Sequence, residues 1–300
     1  MSEKYAIIPI ADDAPESLEQ RGSKTNYWLH RDEKRFLLKI CRADMGENWA
    51  EKVACELCTL LGLPHAHYEL AAWKQHKCVI CETIVPRHGR LVMGNELLSD
   101  VDSGYPIHQR YHVSDHTFGR IYSLLNTLEI LPPFGWMQHR EDVYNAFDIF
   151  VGYLLLDAWI ANQDRHHENW GIIAYYETIY LAPSYDHAAS MGQNETDEVR
   201  KERLTTRDQN RHITRYIEKA RSAIYLNETE QKPLSTVAVL EMAAARSPNA
   251  AKLWRERLGD ISKQQCLAIF EKIPSTEISE TACEFALTLL ELNKLRILKK

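Results

Sequence analysis

The chain has 300 residues, 45 % of them hydrophobic and 26 % charged, which is enough apolar material to bury one large core or two modest ones. Its formal charge of -6 is spread over a mixed surface, which argues against non-specific binding to nucleic acid or to an anionic membrane as the main activity. Seven cysteines, an odd number, and an amino terminus (Met1-Ser2-Glu3-Lys4-Tyr5) without the basic and apolar regions of a secretory signal point to reduced thiols in a cytoplasmic protein.

In chain order, the first predicted elements are the two strands of an antiparallel hairpin, Asn26-Tyr27-Trp28-Leu29-His30 and Arg35-Phe36-Leu37-Leu38-Lys39-Ile40, joined by the polar turn Arg31 to Lys34. Alternation puts Phe36, Leu38 and Ile40 on one face of the second strand and Leu37 with Lys39 on the other, so a lysine sits mid-strand beside apolar neighbours. From Glu47 to Leu61 the spacing of Trp49, Val53, Leu57 and Leu60 is helical, and Gly62 followed by Pro64 stops the helix. Tyr68 to Trp73 and Cys78 to Val85 read as strands, and Pro86-Arg87-His88-Gly89 ends them.

Paired Cys55-x-x-Cys58 and Cys78-x-x-Cys81 have the look of a zinc ribbon. The first pair lies in a helical pattern with no glycine knuckle, and the second lies in a strand, where residues three apart face opposite sides; the four read as small buried hydrophobes. Beyond residue 86 the pattern is mostly helical: Thr117 to Leu128, then Val143 to Ala161 with a broad apolar stripe through Phe147, Phe150, Val151, Leu154, Leu155 and Ala158. Asp148 and Asp157 interrupt the longest apolar run, which is too short to span a membrane. Trp170 to Tyr175 and Ile179 to Ala182 form a strand pair around Tyr176-Glu177-Thr178, Pro183-Ser184-Tyr185-Asp186 follows, and helices return after Ser190. The expected architecture is α+β in two lobes, a small β-rich one over residues 1–85 and a larger helical one over 86–300.

The order of these elements carries the chemistry: a strand with a lysine, a helix with a glutamate, a long helix, an Asp-x-x-x-x-Asn loop, two short strands and an aspartate. Phosphoryl transfer from ATP needs a carboxylate to orient the acceptor hydroxyl, oxygen ligands for Mg²⁺ and a lysine against the phosphates. Asp164, Asn169, Asp186 and Lys39 supply one of each, and the separation of Asp164 and Asn169 is that of base and metal ligand in a kinase catalytic loop.

Asp164-x-His166-x-x-Asn169, with Pro183-x-Tyr185-Asp186 downstream, resembles the HipA family of bacterial serine/threonine kinases from about Glu19 onward. The resemblance implies a protein-kinase-like fold, an ATP and Mg²⁺ requirement and a protein substrate. It gives Asp164 the catalytic position, Asn169 and Asp186 the metal ligands, Lys39 the ATP-contacting lysine and Glu51 the helix glutamate that pairs with it, in preference to Glu56 on the same helix. His166 matches a histidine that supports the loop, Gly22-Ser23-Lys24-Thr25 a phosphate-binding turn, and Ile80 to Val85, with Glu82, the hinge beside adenine. Asn26 stands where a second basic residue is usual, Glu19 lies near the position of an autophosphorylated serine, and the chain begins almost at the phosphate turn, as expected of a compact member without the family's amino-terminal subdomain. Several members are toxins restrained by an antitoxin protein, a partner the resemblance permits; direct nucleic-acid or membrane contact is not expected.

Three other readings fit some of the same residues. The Asp-Arg-His-x-x-Asn string also resembles the loop of phosphatidylinositol 3/4-kinases, but no basic amphipathic helix offers a route to a bilayer, and only Lys294, Arg296, Lys299 and Lys300 cluster at the end. His166, His167, Glu168, Asp186 and His187 are the residue types of a metal-dependent hydrolase, although adjacent loop histidines rarely converge on one ion. A nucleotide-binding pseudokinase is the third.

Overall fold

We analysed a computed structural model of the chain, which describes residues 3–19, 26–127, 129–136 and 145–299. Seven elements build the first sheet and its helix: β1 (Ile7–Pro9), β2 (Ser17–Glu19), β3 (Asn26–Arg31), β4 (Lys34–Ile40), α1 (Glu47–Leu61), β5 (Tyr68–Trp73) and β6 (His76–Glu82). The strand order is β1-β5-β6-β4-β3-β2, antiparallel throughout except for β1 beside β5. Both long hairpins close through two residues with positive φ, Asp32 and Glu33 after β3, Lys74 and Gln75 after β5. That is the backbone twist a two-residue connection requires, met here without the usual glycine.

Alternation sorts the sheet as expected. Leu38 packs with Phe36, Ile40, Leu29, Trp73 and Ile80 on one face. The opposite face packs Tyr68, Val79 and Cys81 against Cys55 of α1. Cys78 and Cys81 therefore point to opposite sides of β6, Cys58 enters the main core, and all seven cysteines are free thiols, so the paired Cys-x-x-Cys units do not meet. Gly62, at φ 68, caps α1 in the left-handed conformation, which a side chain would strain.

The second half begins with β7 (Gly89–Met93), α2 (Gly94–Val101), α3 (Phe118–Thr127), β8 (Ile130–Leu131), α4 (Ala146–Ile160), β9 (Gly171–Tyr175) and β10 (Thr178–Leu181). It ends with α5 (Asp197–Thr205), α6 (Ile213–Lys219), α7 (Thr236–Arg246), α8 (Pro248–Asp260), α9 (Lys263–Lys272) and α10 (Glu280–Leu298). Here the sequence reading needs three corrections. The strand expected over Cys78 to Val85 is β6, which starts at His76 and stops at Glu82. The expected strand pair β9–β10 is the centre of a four-stranded sheet, β7-β9-β10-β8. Its outer strand β7 follows the Pro86–Gly89 break and was not foreseen, because Arg-Leu-Val-Met is too short a run to show a period. Finally α4 carries no stripe: every residue from Ala146 to Ile160 is buried. It is the central rod of the helical body, packed by α3, α7, α8 and α10, as a helix apolar all round must be. Side chains such as Phe150, Leu155 and Trp159 each contribute roughly 1.5–3 kcal/mol on burial. Among the described residues no helix is long and apolar enough to cross a membrane.

Candidate active site

A cleft of about 1100 Å³ separates the first sheet from the helical body, and Lys39, Asp164, Asn169 and Asp186 all line it. Lys39 reaches it because Leu38 and its neighbours take the other face of β4. Its ammonium lies 2.5 Å from Asp186 Oδ1 and 3.1 Å from Glu51 Oε2. Burial opposes that charge, yet Asp186 and then Glu51 outweigh it and hold Lys39 well above the ordinary lysine range. Glu51 is completely buried; desolvation pushes its carboxyl up, and Lys39 with the His187 hydrogen bond brings it below the usual value. Its other oxygen accepts the backbone N–H of His187 at 2.7 Å. One carboxylate thus ties α1 to the lysine and to the segment after Asp186. Glu56, the competing glutamate, pairs with Lys52 at 2.8 Å instead.

Asp186 occupies the left-handed region at φ 59, a conformation that costs a non-glycine residue energy and is concentrated at functional sites. Its N–H donates to the Tyr68 hydroxyl at 3.3 Å, and its carboxylate faces Lys39. Asn169 is buried and commits its amide nitrogen to the Asp164 carbonyl at 2.6 Å, so its oxygen is the atom it can offer a cation. A neutral amide oxygen and a carboxylate on one wall of a cleft suit a hard ion that keeps part of its water shell, as Mg²⁺ does. Asp164 is about a quarter exposed, 28 %, at the junction of the cleft with a smaller cavity of about 190 Å³.

His166 is not built to titrate. Burial, and then the Arg110 guanidinium, push its imidazole down to about 3. Arg110 Nε lies 3.2 Å from its Nε2 and the Glu168 backbone nitrogen 3.1 Å from its Nδ1, and the neutral ring accepts from one of the two, so it props the loop beside Asp164. His167 turns to the Tyr105 hydroxyl at 2.7 Å and His187 to Ser184 Oγ at 2.7 Å. Among the described residues these histidines form no shared cluster with Glu168 or Asp186, against the hydrolase reading. Glu82 lies at the cleft rim with its carboxylate held by Lys34 at 2.9 Å. Gly22, Ser23 and Lys24 lie outside the described residues.

The residue that sequence reasoning missed is Arg165. It is fully buried; its Nε and Nη2 each sit 2.8 Å from an Asp157 oxygen, while Nη1 donates to the Asn169 carbonyl at 2.7 Å and Nη2 to Ser184 Oγ at 3.2 Å. This two-pronged pair hangs the Asp164–Asn169 loop from the end of α4 and joins it to the Ser184–Asp186 segment. The available signal was Asp157 itself, with Asp148 one of two charges in an apolar helix, and the one at its end beside the loop, which called for a buried partner.

No protein-family model matches the chain, and no curated protein matches it in sequence. Solved structures do. The proinflammatory kinase CtkA of Helicobacter pylori superposes with a TM-score of 0.73 at 18 % identity, over 94 % of this chain and 92 % of that one. The fold is that of this kinase. HipA of Shewanella oneidensis, solved with HipB and operator DNA, superposes with a TM-score of 0.58 at 12 % identity, over 97 % of this chain and 66 % of its own length.

Proposed function

We propose that the protein is an ATP- and Mg²⁺-dependent serine/threonine protein kinase of the HipA-like type. The observation that carries the reading is the convergence of Lys39, Glu51 and Asp186 across one cleft with Asn169 and Asp164. A lysine paired with a helix glutamate and an aspartate on the opposite wall is the arrangement that positions polyphosphate for transfer. Asn169 and Asp186 would hold Mg²⁺, which would supply positive charge against the phosphates. Lys39 would meet the phosphate oxygens, with Glu51 keeping its ammonium aimed into the cleft.

The apolar wall from Leu37, Cys81, Val85 and Leu91 suits a purine ring, and the backbone from Glu82 to Val85 serves as the hinge. The lobes divide after Val85, beyond the end of β6 and before β7 joins the second sheet. Asp164 holds the acceptor hydroxyl: its proton passes to the carboxylate as the oxygen–γ-phosphorus bond forms and the bond to ADP breaks. Lined by Arg110, Tyr111, His166 and Arg221, the smaller cavity on the far side of Asp164 receives the acceptor side chain. An antitoxin-type partner is supported by the HipB bound to HipA, and a cytoplasmic location by the operator DNA in that complex.

The test is ADP release with Mg²⁺ and ATP in the presence of serine- and threonine-containing peptide libraries, beside Asp164→Ala. Peptide phosphorylation that the variant lacks is the expected result. Nucleotide-dependent thermal stabilisation with no turnover on any hydroxyl peptide would leave a pseudokinase and overturn the proposal.

A further inference from the structure

On the far side of α1 from the main core, Cys55, His65 and His67 bring a sulfur and two imidazole nitrogens within 4.8 Å of one another. A tetrahedral zinc ion with ligand bonds of roughly 2.0–2.3 Å sets its ligands about 3.4–3.6 Å apart. Closing the set therefore takes shifts of about an ångström, which His67 can supply because it is exposed. The two rings lie with centroids 4.5 Å apart and planes tilted by 57°, a tilt that lets two nitrogens aim at a shared point.

The hydrogen bonds around His65 and Cys55 suit a metal shell. His65 Nδ1 lies 3.0 Å from the Ala66 carbonyl, which can only accept, so Nδ1 carries the proton and Nε2 the lone pair. A ligating histidine is normally held in that manner. The Thr59 hydroxyl has one proton and faces two acceptors, His65 Nε2 at 3.0 Å and the Cys55 carbonyl at 3.3 Å. A cation on Nε2 removes the competition and leaves the hydroxyl to the carbonyl. Cys55 Sγ accepts the Tyr68 N–H at 3.4 Å, a contact that suits a thiolate.

We infer that Cys55, His65 and His67 form a binding site for a borderline-soft divalent cation of the zinc class, with its fourth position open to solvent beside His67. Thiolate and imidazole ligands sort such an ion from Mg²⁺, which the oxygen donors Asn169 and Asp186 suit. Its location gives it leverage. Cys55 lies one turn after Glu51 on α1, and His65 is in the segment whose neighbours bond Ser184: the Ser184 N–H donates to the Pro64 carbonyl at 3.0 Å and the Ala66 N–H to the Ser184 carbonyl at 2.9 Å. The ion clamps α1 to the segment before β5, which in turn hydrogen-bonds Ser184, two residues before Asp186.

The experiment uses the full chain, stripped of metal and kept in excess Mg²⁺. Equilibrium dialysis against Zn²⁺ should give about one ion per chain, and Co²⁺ should give a near-ultraviolet thiolate charge-transfer band together with tetrahedral visible bands. Cys55→Ser should lose the charge-transfer band, whereas Cys283→Ser, which changes the one described thiol that is not buried, should keep it. His67→Ala, at an exposed position, should fold normally and weaken Zn²⁺ by more than the roughly 10–100-fold that loss of an outer partner costs. Hydrogen exchange of residues 51–68 should slow on Zn²⁺ loading. A cobalt spectrum without the thiolate band, wild-type affinity in His67→Ala, or Zn²⁺ binding that leaves exchange in that segment unchanged would each overturn the inference.

Discussion

Asp157→Leu is the most informative single change outside the cleft. Among the described residues it removes the one carboxylate paired with Arg165 and leaves a guanidinium at zero exposure, still bonded to the neutral Asn169 carbonyl and Ser184 hydroxyl. Stranding a buried charge costs about 3–5 kcal/mol, against about 0–1 for an exposed pair. With a total stability of roughly 5–15 kcal/mol for a domain, that is from about a fifth to all of what holds the fold together. Asp157→Leu/Arg165→Met removes the stranded charge and should recover most of the loss. It should not recover phosphoryl transfer, because the Asn169 carbonyl and Ser184 then lose the donor that sets the loop. Urea unfolding followed by tryptophan fluorescence gives the stabilities, and ADP release gives the activity. The reasoning fails if Asp157→Leu costs under about 1 kcal/mol, or if the double variant is as unstable as the sum of its singles.

The remaining predictions concern the lysine and a buried histidine. Lys39→Met leaves the fully buried Glu51 without its counter-charge; transfer should drop at least about a hundredfold, and adding Glu51→Gln should restore stability to a chain that stays inactive, read by thermal melting beside turnover. His116 is neutral in the fold: its Nδ1–H donates to the Ala223 carbonyl at 3.0 Å, its Nε2 accepts Trp170 Nε1–H at 3.0 Å, and burial, with the neutral ring of His167 as its titratable neighbour, pushes it down to about 3. An unfolded histidine near 6.5 binds the proton first, so this contribution is fully present above pH 6.5 and is lost as pH falls toward 3. At pH 5 the loss is about 2 kcal/mol. Unfolding free energies from urea titrations at pH 7.5 and 5 should therefore differ by that much more in the wild type than in His116→Gln, and equal differences would refute it.

Much of the fold could be read locally. The β4 alternation, the α1 period ended by Gly62 and the Asp164-x-x-x-x-Asn169 spacing are properties of neighbours in sequence, where side-chain direction repeats with the backbone. The reading failed where the decisive contacts were distant. Short β7 has no period of its own and exists as a strand because β9 pairs with it. The run of α4 is apolar on every face and so calls for cover on all sides, but which four helices supply it depends on distant contacts. Asp157 announced a buried need without naming Arg165 as its answer, and Cys55 looked like any small apolar residue until the fold set His65 and His67 beside it.

By itself the sequence determined which side chains stand on which face of each element and the order in which lysine, glutamate, loop and aspartate follow one another. Only the tertiary structure decided that Lys39 meets Asp186 across 147 positions, that Glu51 rather than Glu56 turns inward, and that Arg165 ties the loop together. The physical reason is that dihedral preference and hydrophobic period act over a few residues, whereas a buried charge is satisfied by whichever partner the packed core brings within about 3 Å.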